Sequence, residues 1–94
     1  MSTQPSTTRA QRNRPTRKVY ALRIGQDYLE DAEIYTSLRD ARTAYRLMAE
    51  ELDRYGNVPP EASIHIAANR DEINEYPDYV LSFEDGKVRS EYVY

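Results

Sequence analysis

Between Leu38 and Tyr55 the chain reads LRDARTAYRLMAEELDRY, and this run admits one local structure. Leu38, Ala41, Tyr45, Met48, Leu52 and Tyr55 recur at alternating spacings of three and four. At about 100° per residue they fall in one arc roughly 100° wide, an apolar stripe broad enough to lie on a sheet. Ser37 offers an N-cap oxygen, and Asp40 three residues on makes a capping-box-like pair. Gly56 stands where a left-handed residue closes a helix, and Pro59 and Pro60 bar continuation. One helix with one apolar face requires a sheet to cover it.

The flanking segments supply that sheet. Val19–Ile24 alternates, with Tyr20, Leu22 and Ile24 on one side and Val19, Ala21 and Arg23 on the other, as a half-buried strand does. Gly25-Gln26-Asp27 breaks it, and Ala32–Tyr35 is apolar enough to return as a short second strand. Ala62–Ala67 sets Ile64 and Ile66 against Ser63 and His65. Asn69–Asp78 is an acidic loop without a period. Asp85-Gly86 between two alternating segments is a type I′ hairpin signal. Pairing across it sets Glu84 opposite Lys87, Phe83 opposite Val88 and Tyr79 opposite Tyr92, so that polarity and register agree. The expected fold class is α+β: an antiparallel sheet of four to five strands with one long helix on one face, in the order β-(β)-α-β-β-β.

Ninety-four residues make one domain. No apolar run approaches the roughly 20 residues of a membrane span. No hydrophobic segment follows the basic N-terminus, so a secretory signal is not expected and a cytoplasmic location is. The net charge of −3 conceals a division. Residues 1–18 carry Arg9, Arg12, Arg14, Arg17 and Lys18 and no acid, whereas residues 19–94 carry 8 basic and all 16 acidic residues, a net of −8. The tail has no large apolar side chain beyond its first methionine and is expected to be disordered. It reads as an arm for nucleic acid or an acidic protein surface, or as a solubilising leader, or as a strap lying on its own acidic domain.

Little here suits catalysis. There is no cysteine, and His65 is the only histidine, expected as an ordinary residue on a strand's polar face. Serines without a base and an orienting group are not activated. Three separated glycines build no phosphate loop. The chain is expected to be non-enzymatic, with no metal and no cofactor.

Three features point to binding instead. Nine tyrosines are present; Tyr20, Tyr45, Tyr55, Tyr79 and Tyr92 fall on expected core faces, while Tyr28, Tyr35, Tyr76 and Tyr94 do not. Tyrosine is favoured at interfaces for its contact area and hydrogen bond. Asp71, Glu72, Glu75 and Asp78 cluster around Tyr76, and Glu50, Glu51 and Asp53 crowd the helix end. Such a surface is a solubilising coat or a match for a basic groove. Arg39, Arg42 and Arg46 occupy the early helical turns, against the macrodipole, and Leu47 points to solvent. Arg46 can pair with Glu50. A local rule broken this way marks a candidate surface.

In size, lack of cysteine and catalytic groups, acidity, and the sheet-plus-one-helix layout of residues 19–94, the chain resembles the small inhibitors of host defence encoded by phages and mobile elements, anti-CRISPR proteins especially. The resemblance implies a stoichiometric, protein-binding inhibitor acting in the host cell cytoplasm. Its partner is then a host protein or nucleoprotein complex with a basic surface, with no small-molecule substrate and no membrane. The alternative is a nucleic-acid-binding accessory protein that uses the Arg9–Lys18 arm and the helix arginines. Monomer and homodimer both remain open, the dimer by edge-strand pairing through Tyr92–Tyr94.

Overall fold

A computed structural model describes residues 18–93. Five strands, β1 (Val19–Ile24), β2 (Glu33–Tyr35), β3 (Ala62–Ala67), β4 (Tyr79–Glu84) and β5 (Lys87–Tyr92), surround one helix, α1 (Leu38–Arg54), in the chain. The sheet order is β2-β1-β3-β4-β5 and every neighbouring pair is antiparallel. The α+β architecture expected from the sequence is the one observed. The arm residues Arg9, Arg12, Arg14 and Arg17, and Tyr94, lie outside the described residues; Lys18 is exposed at the start of β1.

Both helix ends close as their residues dictate. Ser37 Oγ accepts from the Asp40 N–H at 3.0 Å. At the other end the Gly56 N–H donates to Asp53 O at 3.0 Å and the Asn57 N–H to Leu52 O at 2.8 Å. Gly56 sits at φ +82, which is the left-handed closure this bond pair requires. The hairpin also follows its turn chemistry: Asp85 and Gly86 have φ 54 and 77, and β4–β5 pairing runs from Glu84↔Lys87 to Tyr79↔Tyr92.

The core lies between α1 and the sheet. Leu22, Ala41, Tyr45, Ala49, Ile64 and Leu81 are buried in it. Tyr45 has no exposure, and its hydroxyl donates to Pro60 O at 2.7 Å, which fastens the turn after the helix to the helix itself. The stripe differs from expectation at its C-terminal end. Ala49 is fully buried, Leu52 is half-buried, and Tyr55 is 71% exposed. The helix stops at Arg54, so Tyr55 is its cap and no longer follows the helical rotation.

The second face of the sheet is not open at its centre. Ala21 has no exposure and His65 only 1%, although both alternate away from the helix. The aperiodic 69–78 loop folds back across β1 and β3 and covers them. His65 is therefore a buried residue, and the expectation of a surface or rim position is corrected: alternation gives its face, but a loop without periodicity covers that face.

Candidate functional site

Bonds from β3 hold the covering loop down. Asn74 O can only accept, so His65 Nδ1 carries the proton that makes their 2.8 Å bond. Nε2 then accepts from the Ser63 hydroxyl at 2.9 Å. The Ile66 N–H donates to Asp78 Oδ2, and the Asp78 N–H to Ile64 O, both at 2.8 Å. Arg23 reaches Glu75 at 3.1 Å, while its Nε–H is buried without a partner among the described residues. Burial pushes the His65 pKa below its usual value, against the opposing Asn74 bond, and Arg23 adds to the lowering. Ser63, His65 and the Asn74 carbonyl stand in the order of nucleophile, base and orienting group, a set the sequence does not display because its third member is backbone. His65 is 1% exposed, and its two ring bonds tie the loop to β3.

These bonds sort the acidic loop residues. The Asp78 carboxylate is engaged by β3, and Glu75 is tied to Arg23 though its side chain stays 74% exposed. Asp71 and Glu72 stand exposed on a short 3₁₀ turn (Arg70–Glu72), and Tyr76 is 82% exposed. The loop lies beside the β1–β2 connection, which contributes Tyr28, 75% exposed. Between them is a cleft of ≈ 390 Å³. Leu29, Ala32, Ile34 and Ile73 line it with apolar groups, and Glu30, Asp71 and Glu75, together with Arg70, bring charge to it. A second cleft of ≈ 320 Å³ on the other side of the same connection is lined by Asp27, Asp31 and Glu33 beside Leu22, Ile24 and Met48. Carboxylates therefore flank the β1–β2 connection on both sides. Sequence reading gathered the loop acids but missed Asp27, Glu30, Asp31 and Glu33, a segment whose proximity to the 69–78 loop arises only from the fold.

The helix arginines lie on the opposite face. Arg39, Arg42 and Arg46 line a groove of ≈ 440 Å³ with Thr43, Val88 and Ser90. The Arg42 Nε–H donates to Ser90 Oγ at 3.1 Å, and its guanidinium stands 5.1 Å from the Tyr79 ring centroid. Tyr79 in turn meets Tyr92 edge-on at 5.2 Å. Arg46 pairs with Glu50 at 3.3 Å. Leu47 is 57% exposed. Of the residues singled out from sequence, Arg39, Arg42 and Arg46 come together in this groove, and Asp71 and Glu75 in the cleft on the other side of the sheet, whereas Leu47, Glu72, Tyr76 and Asp78 line neither. Tyr35, on neither, is half-buried against the core; desolvation first, then its 2.6 Å bond to Glu33, pushes its hydroxyl up to about 12.

Among the described residues no His, Cys, Asp or Glu group is arranged to hold a metal ion, and no helix is long and apolar enough to cross a membrane. Compared with known proteins, the chain matches no protein family, no curated protein and no solved structure.

Proposed function

We propose that the protein is a stoichiometric, protein-binding inhibitor whose acidic face docks on a basic surface of a nucleic-acid-handling complex of the CRISPR-Cas type. One observation carries this reading: the β1–β2 connection and the 69–78 loop lie side by side and place Glu30, Asp71 and Glu75 around an apolar-lined cleft, with Tyr28 and Tyr76 exposed in the same two segments. Carboxylates around an apolar floor complement a groove that otherwise receives phosphates, and exposed tyrosines add contact area at low entropic cost. The target class comes from the resemblance in size and layout; the docking face comes from the geometry.

The test is affinity capture with the full chain from cells carrying such a defence system, beside a Glu30→Arg/Asp71→Arg double variant. Neither residue joins an ion pair among the described residues, so the fold is expected to survive. Capture of a nuclease or defence complex by the parent chain alone supports the reading. Equal capture by both overturns the docking face. Recovery of nucleic acid only, with a steep salt dependence lost on deleting residues 1–18, favours the Arg9–Lys18 arm as the functional element.

A further inference from the structure

The helix arginines and the outer strand β5 form a second surface that stands independently of the acidic face. Strand β5 ends the sheet, and β4 is its one strand neighbour among the described residues. In a two-residue hairpin the pairs Glu84–Lys87 and Ser82–Arg89 exchange hydrogen bonds inward, which turns the backbone groups of Val88 and Ser90 outward. Side chains of the same two residues line the arginine groove beneath α1. A strand added at this edge meets main-chain donors and acceptors beside it and lies next to the groove that the three arginines line.

The groove is partly preset. Arg42 is held between Ser90 and Tyr79, so its charge is positioned before any partner arrives. Arg39 has no ion-pair partner among the described residues, and Arg46 has only the exposed Glu50 contact. These three cations sit close together on a domain whose net charge is −8. Alternate residues of an extended chain lie about 6.7 Å apart on one face, and Arg42 and Arg46 are separated by about 6 Å of helix rise.

We propose that β5 and the Arg39/Arg42/Arg46 row form a strand-addition site for an acidic, extended segment of a partner protein, with Asp or Glu at alternate positions facing the arginines. This occupant satisfies both halves of the site. Nucleic acid offers phosphates to the arginines but no regular main-chain ladder to the strand edge. A second copy paired antiparallel along β5 brings its helix to the same side of the continuous sheet, and sets its own arginine row toward this one.

The probe is a labelled, blocked octapeptide of alternating Thr and Glu, titrated into the full-length protein. Binding is followed by anisotropy and by amide exchange. The site predicts saturable binding that weakens at least tenfold in Arg39→Glu/Arg46→Glu. It also predicts slowed exchange at the Val88 and Ser90 amides and no binding of the Thr-Lys counterpart. Ser90→Pro, which removes an outward N–H together with the Oγ that holds Arg42 while leaving the β4–β5 ladder intact, is expected to abolish binding with the circular dichroism unchanged, and Ser90→Ala, which removes only the Oγ, to weaken it less. Four results overturn the proposal: no binding, equal binding by the charge-reversed variant, protection confined to residues away from β5, or displacement of the peptide by a second copy of the chain or by single-stranded DNA at equal affinity.

Discussion

Protonating His65 would bury a cation and set a second positive charge near Arg23 inside the fold, while Ser63 Oγ turns from donor to acceptor toward Nε2. The folded pKa lies below the usual value of about 6.5, so the unfolded chain takes up the proton first as pH falls. The stability His65 contributes is therefore complete above about 6.5 and is lost as pH falls from there toward the folded value. Urea midpoints of the parent protein are predicted to drop from about pH 7 to about pH 5.5, and those of His65→Asn, whose amide can still donate to Asn74 O, to drop less. Parallel curves would remove His65 as the cause. Tyr45 gives a second residue-scale expectation. Tyr45→Phe leaves the Pro60 carbonyl without its 2.7 Å donor at a fully buried side chain, a loss of about 1–2 kcal/mol by denaturant melting. A change below a few tenths would show that water replaces the hydroxyl.

At the scale of elements, the turns and helix ends separate local causes from distant ones. Gly86→Ala forces an L side chain to φ +77, where it meets no neighbouring atom, so only backbone strain enters, about 1–2 kcal/mol. Chemical denaturation gives this directly, and a neutral outcome would mean that the turn relaxes to another type. Arg39 is the second residue of α1, at the positive end of the macrodipole. Arg39→Glu is expected to raise stability by about 0.3–1 kcal/mol while weakening acidic-peptide binding, opposite signs that distinguish a used residue from a neutral one.

The same division explains what the sequence made legible. Strand β1, strand β3, the β4–β5 register and the helix start could be read because alternation, capping and Asp-Gly turn chemistry act within a few residues. Exposure of Tyr55 was missed because a cap residue leaves the helical rotation. Burial of Ala21 and His65 was missed because their cover is a loop held by backbone carbonyls and Asp78, which carry no periodic signal. The partition of the arginines and the loop acids onto opposite faces was likewise invisible, since it depends on where α1 and the 69–78 loop cross the sheet.

Among the described residues, like charges gather in two patches. Carboxylates gather on both sides of the β1–β2 connection and along the 69–78 loop, while three arginines gather between α1 and β5, on the helix side of the sheet. A basic target and an acidic strand can therefore be engaged without competing for the same residues. Screening acts over about 8 Å at physiological ionic strength, so association through the acidic face is expected to slow with added salt more than dissociation quickens. The central claim is that the acidic face carries target binding, and parallel affinity capture by the full-length parent and its Glu30→Arg/Asp71→Arg variant, read by mass spectrometry, tests it most directly. The account predicts a nuclease or defence complex on the parent and its absence on the variant; equal recovery on both, or nucleic acid alone on the parent, contradicts it.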